Sequence, residues 1–322
     1  MADIGLINDA TLTAIADAIR SKNGTTTKYK PSEMAAAIQS CVSTTQAADG
    51  GGLIERSITV LSNSNVTSIG EYAFYEWTTL KQADFAAAAT VESHAFSGCE
   101  NLISVNMPSV LTIDIGSFDG CMRLESINMP NVQSIGNGAF NECRSLQEAI
   151  FTNLTEMGNT TFYNCMELQT VDMPLVTTLD GTFDHCSVLK NVNLPSVQTV
   201  GAYSFAYCTL LKEIVLPSVT SISNYAFSNC TNIVKIDLGA PAAVKNQTFA
   251  ECTALEALII RTSSMCTLSG TPFLNSSIES GTGYIYVPSA IINSYKVDTG
   301  WYAYKDQIRA IEDYPDICGG DA

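Results

Sequence analysis

Apolar and polar residues alternate along this chain in short stretches, and the stretches recur. In one full unit Leu102, Val105 and Met107 face inward while Ser104 and Asn106 face outward, a short strand that Pro108 stops. A second extended stretch runs from Val110 to Ile113 and leads to a turn near Gly116. Phe118 and Cys121 then anchor a short helical or 3₁₀ turn, and Leu124 opens the next strand. Pro108, Pro130, Pro174, Pro195 and Pro217 mark the same corner of successive units. Proline suits a strand end because it has no N–H to give to the ladder.

The phenylalanine of the unit recurs at Phe74, Phe96, Phe118, Phe140, Phe162, Phe183, Phe205, Phe227 and Phe249, with Phe273 a degenerate further copy. The step is 22 residues, except for 21 between Phe162 and Phe183 and 24 before Phe273. A fixed period of this size predicts a solenoid, in which each unit packs only on its neighbours. The energetics require the stack. About six large apolar side chains per unit contribute roughly 1.5–3 kcal/mol each when buried. Ordering the backbone costs about 1–2 kcal/mol per residue, so a lone unit does not fold. The expected fold is therefore a leucine-rich-repeat-like solenoid of short strands and short helical or 3₁₀ turns, with atypical ends.

Those ends read differently. Over residues 1–42, Leu12, Ile15, Ala16 and Ile19 share one helical face. Gly24 ends that helix, and Pro31 opens a second one carrying Met34, Ala35 and Ile38. This helical hairpin is too small to be stable alone. It is expected to attach to an assembly or a sister subunit, or else to cap the array. Residues 43–52, ending in Asp49-Gly50-Gly51-Gly52, read as a flexible linker. The array is placed at residues 53–275 and a C-terminal cap and tail at 276–322. There Tyr284–Val287 forms a last strand, and two helical segments follow, one with Ile291, Ile292 and Tyr295 and one with Trp301, Tyr304, Ile308 and Ile311. The tail from Asp316 is expected to be loose.

Composition narrows the partners. With 32 acidic against 16 basic residues the net charge is −16, which disfavours nucleic acid and anionic membrane. The first twenty residues carry Asp3, Asp9 and Asp17, unlike a secretory signal, and no apolar run is long enough to span a bilayer. Synthesis and folding in the cytosol are expected. Eight of the eleven cysteines, Cys99, Cys121, Cys143, Cys165, Cys186, Cys208, Cys230 and Cys252, sit three residues after a repeat phenylalanine. They read as a stack of compact, buried free thiols. Neighbouring coils lie within disulfide reach, but Trp77 in the same slot of the first unit suits packing better than bridging.

Catalytic chemistry is not evident. His94 and His185 are the only histidines, and Asp184-His185 lacks a nucleophile setting. No phosphate loop, dinucleotide fingerprint or zinc motif occurs, so no cofactor, metal or enzyme activity is expected. What the array offers is a strand face with two outward columns. The column four residues after each leucine reads Asp84, Asn106, Asn128, Ile150, Asp172, Asn193, Val215 and Asp237, then Ile259. The column two after it runs from Gln82 and Ser104 to Glu213, Lys235 and Ala257. The plain alternative is a row of solvated sheet residues. Ile150 and Val215, apolar among polar neighbours, favour a binding face.

The unit LxxVxMPxxxxxIxxxxFxxCxxL resembles the BspA-like class of leucine-rich repeats. Trp77, Ile233 and the shortened unit before Phe183 depart from it. Membership implies a recognition or surface protein. The segment from Leu12 to Ile38 resembles a module at the start of phage and prophage tail-associated proteins of gut-type bacteria. Tyr284 to Pro288, with Trp301 to Glu312, resembles the segment that closes them. Together the resemblances imply a virion protein made in the host cytoplasm. It would be attached through residues 1–42 to a tail, with or without homo-oligomerisation, and would bind a host cell-surface protein or glycan through the solenoid. The alternative they leave open is a bacterial adhesin that reaches the surface by a non-Sec route.

Overall fold

The computed structural model describes residues 59–319, so the hairpin expected over 1–42 and the linker 43–52 lie outside the described residues. The chain divides after Leu146 into two compact units. In the first, strands β1 (Val60–Ser62), β2 (Gln82–Asp84), β3 (Ser104–Asn106) and β4 (Ser126–Asn128) form one parallel sheet in chain order. Val60 pairs with Gln82, Gln82 with Ser104 and Ser104 with Ser126. The sequence period is thus the ladder register: each coil hydrogen-bonds to the one before it at the equivalent residue. Two-residue strands such as Thr90–Val91 and Thr112–Ile113 pair in the same register elsewhere on each coil.

The second unit repeats the plan with two sheets on its strand face. β5 (Glu148–Ile150), β6 (Thr170–Asp172) and β7 (Asn191–Asn193) form one. β8 (Glu213–Leu216), β9 (Lys235–Leu238), β10 (Ala257–Ile260), β11 (Tyr284–Val287) and β12 (Ile308–Ala310) form the other, all parallel. The shortened unit is absorbed without a register slip, because Thr170 pairs with Asn191, 21 residues on.

A stack of rings fills each unit. Phe74, Phe96, Phe118 and Phe140 lie with successive centroids 4.9, 5.1 and 5.2 Å apart. Phe162, Phe183, Phe205, Phe227, Phe249 and Phe273 follow at 5.8, 5.5, 5.2, 5.7 and 5.7 Å. These are offset-stacking distances. The spacing is set by the distance between neighbouring strands, about 4.8 Å.

The turn around each phenylalanine is not the helical or 3₁₀ turn the sequence suggests. Its N–H groups alternate in direction. Those of His94, Phe96 and Gly98 donate to carbonyls of the next coil (Ile115, Ser117 and Asp119, 2.7–2.9 Å), while those of Ala95, Ser97 and Cys99 donate within the coil, to Glu92, His94 and Phe96. The alternation needs left-handed backbone two residues either side of the ring, as at His94 (φ 54°) and Gly98 (φ 74°). A helix would turn every donor inward along its own axis and leave the coils unjoined.

The C-terminal cap also departs from expectation. The first helical segment is present as a 3₁₀ turn at Ser289–Ile291 followed by α1 (Ile292–Val297), with Tyr295 buried. In the second, Ile308 lies in β12, which pairs with β11 and extends the sheet. The tail is ordered through α2 (Pro315–Cys318), and Cys318 is buried.

Candidate recognition face

The outward columns of the strand face are held by side-chain ladders. In the first unit Asn106 Nδ2 donates to Asp84 Oδ1 at 2.9 Å, and Asn128 Nδ2 to Asn106 Oδ1 at 2.6 Å. In the second, Asn193 Nδ2 donates to Asp172 Oδ1 at 2.8 Å, and Asn191 Nδ2 to Thr170 Oγ1 at 3.3 Å. Amides stacked at strand spacing satisfy one another, which restrains their rotamers. Ile150 is 46% exposed and Val215 53% exposed. Both are exposed apolar residues on strands at the edges of their sheets.

Three of the candidate residues converge. Asp172, Asn193 and Val215, with Thr170, Lys190, Asn191 and Glu213, line an open depression of about 520 Å³ whose floor includes Val171, Val192 and Ile214. It sits where β7 and β8 belong to different sheets. On the same coils, the two-residue strands Thr178–Leu179, Thr199–Val200 and Ser221–Ile222 stay paired in one sheet. The stack is therefore continuous there, and only the strand face parts.

Asp237 is placed otherwise. It is 5% exposed, and Arg261 grips it with two hydrogen bonds, Nε to Oδ1 at 2.8 Å and Nη2 to Oδ2 at 2.9 Å. The same guanidinium donates to the Cys318 carbonyl. Ile311 and Cys318 pack on Ala257, Ile259 and Tyr286, and Tyr314 meets Tyr286 edge to face. The C-terminal segment thus covers the strand face from β9 onward, and the open part of the second unit's face ends at Val215. The sequence signal for this cover is that both outward columns turn apolar together, at Ala257 and Ile259, with Tyr286 following on the next strand.

The histidines lie outside the strand face, on the turns. His94 stacks on Tyr72 (5.1 Å) and lies against Gly116, where a Cβ would come within 2.6 Å of the ring. His185 stacks on Tyr207 (4.3 Å) and bonds Asp184 at 2.8 Å. Both occupy left-handed slots: His185 the one that other units fill with Gly98, Gly120, Asn164 or Asn229, and His94 the one filled by Gly116, Gly138 or Gly181. Burial raises the Asp184 carboxyl, opposed by His185. Ten of the eleven cysteines lie among the described residues, and all ten are buried and outside any disulfide. Cys99 Sγ–H donates to the Phe74 carbonyl at 3.0 Å and Cys230 to Phe205 at 3.0 Å, so the thiols join one coil to the one before. Burial pushes both thiols up to about 12, which suppresses the nucleophilic thiolate. Among the described residues no group of His, Cys, Asp and Glu is arranged to hold a metal ion, and no helix is long and apolar enough to cross a membrane.

Comparison with known families decides the class. The model of the BspA type leucine-rich repeat region matches six copies, over residues 56–169, 111–234 and 177–294. The chain belongs to the BspA-type leucine-rich repeat family. Solved leucine-rich repeat structures are similar to it. One is a protein from Bacteroides ovatus (20% identity, 76% of this chain and 87% of that one, TM-score 0.44). Another is a leucine-rich cell surface protein from Faecalibacterium prausnitzii (20%, 82% and 83%, 0.41). A third is the leucine-rich repeat protein of T. pallidum (24%, 54% and 76%, 0.43). No curated protein matches the chain.

Proposed function

We propose that this BspA-type repeat protein is a non-enzymatic recognition protein that binds a host cell-surface protein or glycan through its open strand face, as a tail-associated component of a phage or prophage. The observation that carries the recognition reading is the depression at Thr170–Val215, where ladder-held amides and carboxylates surround the half-exposed Val215. A polar rim about an apolar anchor is a common make-up of an interface. The tail role is supported by the resemblance of both ends of the sequence, and attachment would use residues 1–42. The test is binding of the labelled full chain to a panel of gut bacterial cells, with Val215→Arg and Asn193→Ala as variants. Each is expected to weaken binding at least tenfold while leaving the circular dichroism spectrum unchanged. Equal binding by wild type and both variants would remove the strand face from the account.

A further inference from the structure

One lysine lines the depression and two more follow on the next coils, against the trend of the chain. Lys190 and Lys212 occupy the same slot on successive coils, the residue after Leu189 and Leu211, and both are exposed. Lys235, in register with Glu213, follows on the next coil. The ion pairs found among the described residues do not involve these three. A chain with 32 acidic and only 16 basic residues has nonetheless placed three of the latter on neighbouring coils here. Lys190 itself lines the depression.

Around that cation stand acceptors for hydroxyl groups. Asp172 uses Oδ1 to accept from Asn193 Nδ2, and its other oxygen remains. Asn193 keeps its Oδ1, and Glu213 adds a carboxylate to the lining. Val215, half-exposed, offers an apolar surface to the C–H face of a sugar ring. One or a few anionic groups among many hydroxyls satisfy this set. A dense polyanion does not, because Asp172 and Glu213 would repel it.

We propose that the depression binds an acidic saccharide, its carboxylate or sulfate or phosphate ester on Lys190 and its hydroxyls on Asp172, Asn193 and Glu213, with the ring face on Val215. This rests on the strand-face recognition reading and names its ligand class. The full chain is titrated with neutral, uronic-acid, sialylated, sulfated and phosphorylated oligosaccharides, and in parallel with cells. Acidic oligosaccharides are expected to bind at least tenfold better than their neutral counterparts. Rising salt and Lys190→Glu should abolish the preference, and Lys190→Arg should keep it. Comparison among the three anionic groups says which of them the lysine prefers. Equal binding of neutral and acidic sugars, or no effect of Lys190→Glu, overturns the proposal. If Val215→Arg abolishes cell binding while protease treatment of the cells does the same and no sugar binds, the ligand is a protein. The saccharide proposal then falls while the recognition reading stands. If cell binding is unchanged in both Val215→Arg and Asn193→Ala, both fall.

Discussion

Phe205→Ala tests the stack of rings where the load is best defined. Phe205 is fully buried, with Phe183 at 5.5 Å on one side and Phe227 at 5.2 Å and 6° on the other. Truncating a buried phenylalanine costs about 3–5 kcal/mol in transfer and cavity terms. Losing two stacked contacts, about 0.5–1.5 kcal/mol each, places this site in the upper half of that range. With a urea slope of about 2 kcal/mol/M, a loss of about 4 kcal/mol moves the unfolding midpoint down by about 2 M. Equilibrium unfolding followed by circular dichroism reads that shift. Native-state amide exchange reads it locally, at the Phe205 N–H that donates to the Ala226 carbonyl. Tyr207→Ala is the control: a ring two residues away, exposed on the turn, expected to cost under about 1 kcal/mol. A midpoint shift below about 0.5 M for Phe205→Ala, or one equal to that of Tyr207→Ala, would refute the stack as the main source of stability.

Other consequences are as direct. The buried thiols have folded-state values raised from 9.0 to about 12 at Cys99 and Cys230. The unfolded chain therefore loses these protons first, and stability, fully present below about pH 9, declines as pH rises from there toward 12. Alkaline denaturation midpoints measure the decline, and native-state alkylation at pH 8 should label none of the repeat cysteines. Arg261→Ala leaves the Asp237 carboxylate buried without its partner and should destabilise the C-terminal cap by about 2–3 kcal/mol. Faster proteolysis after residue 300 would show it, and Asp237→Asn should be milder. Gly116→Ala, at a φ of 58° and against the His94 ring, should cost at least about 1–2 kcal/mol by thermal denaturation. Asn229→Gly, at a φ of 62°, should be neutral within about 0.5 kcal/mol.

Much of the fold was legible because one unit repeats. Inward Leu102, Val105 and Met107 and the spacing of the phenylalanines determine the register, since a stacked coil must place equivalent residues side by side. Trp77 was readable as a packing residue and does pack on Phe74 at 5.7 Å. The turn conformation was not read from its period alone. Its signal lies in Gly98, Gly116, Gly120 and Asn164, residues that tolerate left-handed backbone, but Tyr207 and His185 in equivalent slots obscure it. On the site, the columns placed Asp172, Asn193 and Val215 together correctly as neighbours. They could not show that β7 and β8 part there, nor that Lys190 joins the rim, because side-chain reach and sheet splay are tertiary properties. Asp237 looked equivalent to Asp172. What separates them is a segment about eighty residues further along the chain, whose Cys318 carbonyl and Ile311 close over it.

The claim on which the function rests is that partners meet the strand face of the second unit and not its turns. Photo-reactive phenylalanine analogues placed singly at Val215 and at Tyr203, 53% and 44% exposed, compare the two surfaces at similar accessibility. After irradiation on target cells, cross-linked cell-surface material from position 215 and none from position 203 is the predicted result. Cross-linking from 203 alone would contradict the account.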